Sequence, residues 1–249
     1  MRNLEYVSVV MNTYKENQKY LIQAINSYIN QKNVNIQLII STLEGDPSIS
    51  LIKKHYDNKV DLCISTKKEH PGKGVNGIYY QLNKAMSLVK GDWFCYASSN
   101  DVAVLNKLNK EVQYCKNNNK QVCYSDYIIT DKMLKIKKFV KFPEFNYSLL
   151  LKRNYINDCA LVKTSLLKQF LPFDNTYLNC GFWNLWLRTY VKKGNVFIHC
   201  PYPGFFYRQE PNSTHLVRTK NKQKELNYKA EKKKMIKNHL KKYPLQLQY

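Results

Sequence analysis

The chain predicts an α/β fold organised as a doubly wound, parallel sheet, and three observations carry that prediction. Apolar runs of strand length alternate with segments whose apolar residues recur at helical spacing, the β-α-β-α-β-α-β order that crossover helices impose. The apolar runs stop at small polar residues, as strands do where their C-terminal ends open on a ligand crevice. No stretch approaches ~18 consecutive apolar residues, so no membrane-spanning helix is expected.

Residues 7–11 read as a buried strand that stops at Asn12-Thr13-Tyr14. Residues 20–29 place Leu21, Ile22, Ala24, Ile25, Tyr28 and Ile29 on one helical face. A second strand over 36–40 gives way to Ser41-Thr42-Leu43-Glu44-Gly45-Asp46-Pro47, followed by a helix over 49–56 and a short strand over 60–64. Over 76–89, Ile78, Leu82, Ala85, Met86 and Val89 are spaced for one face of a helix. The most informative run comes next. Lys90-Gly91-Asp92 leads into Trp93-Phe94-Cys95-Tyr96-Ala97, which halts at Ser98-Ser99-Asn100-Asp101. Strand ends at Thr13, 42–46 and 98–101 should therefore converge on one nucleotide-type crevice, and the last quartet carries a single carboxylate.

The second half is less regular. Strands are expected over 121–129 and 134–142, split by Thr130-Asp131, with a short strand over 158–162 and a short helix over 165–170. An amphipathic helix over 182–191 carries Trp183, Trp186 and Leu187, and strands over 196–198 and 204–207 close the domain. Residues 221–242 are Lys-rich and weakly periodic, with Tyr228, Met235, Ile236, Leu240 and Tyr243 as their apolar set. That pattern fits a solvated or partly docked terminal helix, or a helix for a membrane surface or acidic partner.

Composition narrows the class. At 249 residues, with 44% hydrophobic and 13% aromatic residues, the chain can bury a substantial core and is not disordered. The seven cysteines form no CxxC pair and several sit in apolar runs, so buried free thiols are expected rather than a zinc site or disulfides. The opening residues lead straight into a strand and leave no room for a signal peptide, which predicts a soluble, cytoplasmic protein. The net charge of +22 has two sources that the sequence does not separate: a compositional bias toward Lys, Asn, Ile and Tyr, or an anionic partner. A nucleic-acid-binding module ranks last, because the Lys runs lack interleaved aromatics for stacking bases.

Taken in order, these landmarks resemble the family 2 glycosyltransferases of the GT-A fold. Val7-Ser8-Val9-Val10-Met11-Asn12-Thr13-Tyr14 is similar to that family's first strand and turn, and Gln31 with Leu38-Ile39-Ile40 to the following helix end and strand. Asn83-Lys84-Ala85 and Lys90-Gly91-Asp92-Trp93 are similar to the approach to its metal motif. Trp183-Asn184-Leu185-Trp186-Leu187-Arg188 resembles the helix after its Glu-Asp pair, and Tyr207-Arg208 with Ser213-Thr214-His215 its closing element. The resemblance spans about residues 5–215. It implies a GT-A domain over 1–215, a mixed, mainly parallel sheet flanked by helices, and a basic helical C-terminal tail over 216–249.

The resemblance also implies site residues. Thr13 and Tyr14 correspond to the turn that packs on the nucleotide base, and the base-reading acid falls at Thr42 or Glu44. Asn83 corresponds to a residue near the ribose and diphosphate, and Lys73 in Pro71-Gly72-Lys73-Gly74 is a candidate diphosphate contact. Ser98, Asn100 and Asp101 fall on the acidic positions of the Asp-x-Asp-Asp element that holds Mn²⁺ or Mg²⁺ in the family. Asp101 and Asn100, with His215 from the segment after Tyr207-Arg208, are the candidate metal ligands. Two departures stand out: Ser98 and Asn100 replace two carboxylates, and Gly181-Phe182 replaces the Glu-Asp pair that supplies the usual base. Asp158 in Asn157-Asp158-Cys159 is the substitute base, with Glu210 and His215 as further groups near the donor. The implied activity is transfer of a sugar from a nucleotide-sugar, UDP-linked by preference, to a hydroxyl of a glycan or lipid-linked acceptor, with inversion. The rival is a degenerate member that binds nucleotide-sugar or glycan without turnover. The basic tail would hold the enzyme at an anionic membrane surface.

Overall fold

The computed structural model describes residues 4–66, 77–174, 176–210 and 214–244, without the side chains of 77 and 214–216. Its first half alternates as expected: β1 (Tyr6–Asn12), α1 (Gln18–Ile29), β2 (Asn35–Leu43), α2 (Ser48–Tyr56), β3 (Asp61–Ser65), α3 (Gly77–Ala85) and β4 (Trp93–Ser98). These strands lie in the order β3-β2-β1-β4, all parallel, with Val9 level with Leu38 on one side and Cys95 on the other. Alternate residues of β1 enter different cores. Val7, Val9 and Met11 pack with Leu21 and Ile25 of α1, whereas Val10 packs with Leu82 of α3 and the tryptophans of a later helix. A strand buried on both faces has no polar side to show, which is why β1 and β4 read as continuous apolar runs.

Gly91 explains the step that precedes β4. Its N–H donates to Ser8 Oγ at 2.8 Å, and a Cβ there would lie 2.5 Å from Ser8 N and 2.9 Å from Tyr6 O. Gly91→Ala must push the β1 backbone aside. The expected cost is about 1–3 kcal/mol, seen as a lower urea midpoint with an unchanged m-value.

The second half contains β5 (Val102–Ala103), α4 (Lys107–Asn117), β6 (Val122–Thr130), β7 (Ile136–Val140), α5 (Tyr147–Lys152), β8 (Leu161–Lys163), α6 (Thr164–Leu167), α7 (Gly181–Lys193), β9 (Phe197–Arg208), α8 (Thr214–Lys220) and α9 (Lys222–Lys242). The nine strands among the described residues form one sheet, continuing from β4 through β8-β6-β9-β5, with β7 paired to β6. β8 is antiparallel to both β4 and β6, so it marks where the parallel half ends.

Three expectations change. The strand expected over 158–162 is only Leu161–Lys163, and Asp158 stands in the turn before it. The two closing strands are one, because Pro201, Tyr202 and Pro203 are absorbed as an irregularity opposite Ser125 and Asp126. Helix α4 was not anticipated. Its core residues Leu108, Val112 and Cys115 have helical spacing, but Lys and Asn between them mask the pattern, and Lys107 and Glu111 are themselves buried.

The terminal helix is docked rather than solvated. Met235 of α9 is 1% exposed and joins the core beside Trp183. Glu231 accepts from the N–H groups of Asn179 (2.7 Å) and Cys180 (3.1 Å), and His239 Nε2 lies 2.9 Å from the Tyr147 hydroxyl. All seven cysteines are buried and free. No helix among the described residues is long and apolar enough to cross a membrane.

Candidate functional site

The C-terminal ends of β1, β2 and β4 open on a cleft of about 1380 Å³, closed on its far side by the end of β9 and the loop over 154–159. From β1 come Asn12, Thr13 and Tyr14; from β2, Leu43; from β4 and beyond, Ser98 to Asp101. The turn after β1 is held by the Thr13 N–H donating to Ser41 O (2.9 Å) and Asn12 Nδ2 donating to Ile78 O (2.9 Å). Among the described residues, Thr13 Oγ1 and Asn12 Oδ1 are buried without a partner, at the site where a nucleotide base is expected.

The quartet after β4 is organised by Arg208, which is 1% exposed. Its Nε donates to Asn100 O (2.8 Å), its two terminal nitrogens to Lys132 O (2.6 Å) and Gln23 Oε1 (2.7 Å), and its guanidinium lies 4.2 Å from the Tyr20 ring centre. The Arg208 N–H donates to Asp101 Oδ1 at 2.9 Å. Two further carboxylates join through the quartet's own side chains. Ser99 Oγ donates to Glu16 Oε2 (3.1 Å), and Asn100 Nδ2 donates to Glu210 Oε1 (3.3 Å). Burial pushes the Asp101 carboxyl up to about 7; Arg208 pulls against this, while Glu16 and Glu210 push the same way as burial. Burial also raises Glu16. Glu16 escaped the sequence reading because nothing in the first loop marks one acid as facing a strand end 83 residues later in the chain.

The chemistry of this donor set decides what cation it suits. Among the described residues no three His, Cys, Asp or Glu side chains form a metal-holding cluster. Asn100 Oδ1 already accepts from Ser98 Oγ at 2.8 Å, and one Asp101 oxygen from Arg208. The protein therefore offers one central carboxylate and neutral oxygens. That fits an ion of the Mg²⁺ type, which binds through one or two carboxylates and takes its remaining ligands from substrate phosphates and water.

On the opposite side, Asp158 stands in a tight turn pinned at both ends. Asn157 Nδ2 donates to Ser125 O (2.9 Å), and Lys107 Nζ donates to Cys159 O (2.9 Å). Lys107 pairs with Glu111 Oε2 at 2.6 Å, and Ser125 Oγ donates to Glu111 Oε1 at 2.7 Å. Burial works against the Lys107 charge, but Cys95 and Glu111 beside it more than offset this and hold its value above the ordinary lysine range. Gly204 makes room for this network, since a Cβ there would lie 2.2 Å from Ser125 Oγ. Asp158 itself is exposed to the cleft, yet protein around it displaces bulk water and raises its carboxyl to about 6.

The lost acid pair has a physical replacement. A Cβ on Gly181 would fall 2.4–2.8 Å from atoms of the Tyr79 ring, whose hydroxyl accepts from the Phe182 N–H at 3.3 Å. Phe182 packs on Tyr96 and Tyr79, with ring centres 5.2 and 5.9 Å away. An aromatic wall thus occupies positions 181–182. Asp158 lines the same cleft as Tyr79 and Phe182, and after burial its charge is the next influence raising the Tyr79 phenol.

Other expected site residues lie elsewhere. Asn83 does not line the cleft: its Nδ2 donates to Phe173 O (3.0 Å) and its Oδ1 accepts from Phe173 N (2.6 Å), so its amide is committed to holding that loop. Thr42 is fully buried and Glu44 exposed, and neither lines the cleft, where Leu43 takes their place. Lys73 and the His215 side chain lie outside the described residues. Arg218 of α8 lines the cleft and was not anticipated.

Fold and cleft together define an α/β nucleotide-diphosphate type of site, with the ligand held at the strand ends where the sheet changes direction. The model of glycosyl transferase family 2 matches residues 8–193, and the chain belongs to that family. It is 26% identical over 223 residues to the Escherichia coli UDP-Glc:alpha-D-GlcNAc-diphosphoundecaprenol beta-1,3-glucosyltransferase WfgD, covering 88% of this chain and 82% of that protein. It is 28% identical over 151 residues to the E. coli enzyme of the same activity, WfaP, covering 60% of this chain and 57% of that one. An uncharacterised glycosyltransferase of Methanocaldococcus jannaschii, MJ1057, is 25% identical over 73% of this chain, which spans 63% of its length. Among solved structures, S. aureus TarS (residues 1–349) in complex with UDP superposes with a TM-score of 0.65 at 16% identity, covering 94% of this chain and 70% of that one. The Pyrobaculum calidifontis mannosyltransferase PcManGT with GDP-Man and Mn²⁺ gives a TM-score of 0.62 at 14% identity, covering 94% and 65%. These likenesses establish the GT-A fold.

Proposed function

We propose that the protein transfers a sugar from a UDP-sugar to a hydroxyl of a lipid-linked glycan, with Asp158 as the general base. The observation that carries this reading is Asp158 itself. It is a carboxylate raised to about 6, in the donor cleft, opposite the wall that replaces the family's usual acids. A base of that value is ionised at neutral pH and still basic enough to take a hydroxyl proton as the oxygen attacks. The attacking oxygen bonds to the anomeric carbon as the bond to the diphosphate breaks, and the nucleoside diphosphate leaves; a single displacement of this kind inverts the centre. Thr13 and Tyr14 receive the base. Lys73 and Arg218 add positive charge toward the diphosphate. Asp101 and Asn100, with His215, would hold a divalent cation, Mn²⁺ or Mg²⁺, which when bound offsets the charge gathering on the leaving diphosphate. The activities of the E. coli relatives support both the UDP-linked donor and an acceptor on a lipid diphosphate.

The rival reading, a member that binds donor without turnover, is favoured by Ser98 and Asn100 standing where carboxylates are usual. Nucleotide release from UDP-sugars with Mn²⁺ separates the two. Asp101→Ala is expected to lower that release by roughly 10²–10³-fold, the scale for losing one transition-state charge contact. If UDP binds yet no donor yields free nucleotide, the binding reading stands and the transferase reading fails.

A further inference from the structure

A second concavity, of about 640 Å³, lies away from the cleft, between α9 and the end of α5. Its apolar surface comes from Leu151, Ile236 and Leu240, all half-buried, and its rim is lysine. The spacing is informative. Lys229, Lys233, Lys237 and Lys241 recur every four residues, so they form one row along the helix, next to the row that holds Ile236 and Leu240. Like charges at that spacing repel each other. Lys229 has Glu225 at 3.9 Å, but among the described residues no ion pair relieves Lys233, Lys237 or Lys241. A fifth lysine, Lys232, turns inward, donating to Lys152 O at 2.9 Å and lying 5.2 Å from the Trp183 ring centre.

The row formed by Glu231, Met235 and His239 faces the body and braces Asn179 at the cleft wall. At 100° per residue, the lysine row points about 160° away from it. One helix thus braces the cleft wall with one side and offers uncompensated positive charge beside an aliphatic groove with the other. Aliphatic walls offer nucleobases no stacking surface, whereas an acidic phospholipid presents phosphate to the lysines and glycerol and acyl carbons to the leucines and isoleucine.

We propose that this groove and its lysine row seat the protein on the face of an anionic phospholipid bilayer. The inference rests on α9 and not on the donor site, and vesicle binding is measured without donor. Its failure is therefore distinct from a failure of the transferase reading, which nucleotide release reports. The test is flotation of the full chain with phosphatidylcholine vesicles, with and without phosphatidylglycerol. The wild type should float only with the anionic vesicles. Lys233→Glu/Lys237→Glu should weaken partitioning by roughly tenfold or more, the scale of about 1 kcal/mol per basic residue at the surface. Lys53→Glu/Lys54→Glu, the same charge change at exposed positions of α2, should leave it within about twofold of wild type on the same scale. Leu240→Asn should weaken the binding that persists at high salt, where the lysines are screened. Equal losses from the two lysine pairs would reduce the effect to bulk charge and overturn the proposal. Absence of binding to anionic vesicles, or preferential binding to single-stranded RNA, would overturn it as well.

Discussion

Asp158→Asn is expected to lower sugar transfer by about 10²–10⁴-fold, the usual share of a general base, while UDP binding stays within a few-fold of wild type. The amide keeps the shape of the carboxylate but cannot take a proton, so the loss should fall on kcat rather than on donor affinity. The pH profile makes the assignment specific. An ordinary aspartate would lose its charge near 4, but the crowded cleft raises this one to about 6. The sign follows from the role: the active form is the deprotonated one, so protonation of Asp158 should lower kcat/KM tenfold per unit as pH drops below about 6, and that limb should vanish in the variant, leaving the one set by Asp101, whose carboxyl is raised to about 7. Glu210 is the competing acid, and it stands at the other end of the site, hydrogen-bonded to Asn100. Retention of wild-type rate and limb by Asp158→Asn would move the base there.

The sheet was legible because burial on both faces leaves an unmistakable apolar run; all four strands of the parallel half and their three helices fall where the spacing placed them. Short antiparallel pieces were less so. β8 has three residues and β5 two, too few for any alternation to register, and their existence depends on what they pair with. β9 was split in the reading because two prolines usually end a strand, and only the register against β6 reveals the irregularity that absorbs them. In the site, the degenerate quartet was visible as a gap in charge. What surrounds it was not, because Glu16 and Arg208 reach Asp101's neighbourhood through tertiary contacts that no local spacing encodes. Asn83 shows the converse, since a residue placed by resemblance has both amide atoms bound to Phe173, a commitment that no local pattern signals. Gly181 reads in the sequence as a missing acid. In space it is the position where Tyr79 leaves no room for any side chain.

Lys107→Met should cost about 3–5 kcal/mol, the range for breaking a buried pair by removing one partner. Lys107 and Glu111 are 0% and 1% exposed, one turn apart on α4, and each is held by more than the other. Lys107 also donates to Cys159 O, and Glu111 accepts from Ser125. Removing the ammonium leaves a carboxylate in the core with one hydroxyl donor, and burial already pushes that carboxyl up, so the variant should bind a proton there. Its stability should accordingly rise as pH is lowered toward the raised Glu111 value, the opposite of ordinary acid destabilisation. The double change Lys107→Met/Glu111→Leu should recover much of the loss, because two apolar groups need no mutual compensation. A cycle of urea melts on the four proteins gives the coupling, and a loss under ~1 kcal/mol for the single change would mean the pair is not carrying charge in the core. The network also has a catalytic reach. It holds the carbonyl of Cys159 and, through Ser125, the backbone that Asn157 binds, so it braces the turn bearing Asp158 from both ends. In the folded fraction of Lys107→Met, kcat should therefore fall while UDP affinity holds, since the network's bonds run to the turn bearing Asp158 and to Cys95 inside β4 rather than to Thr13, Tyr14 or the quartet at the strand ends.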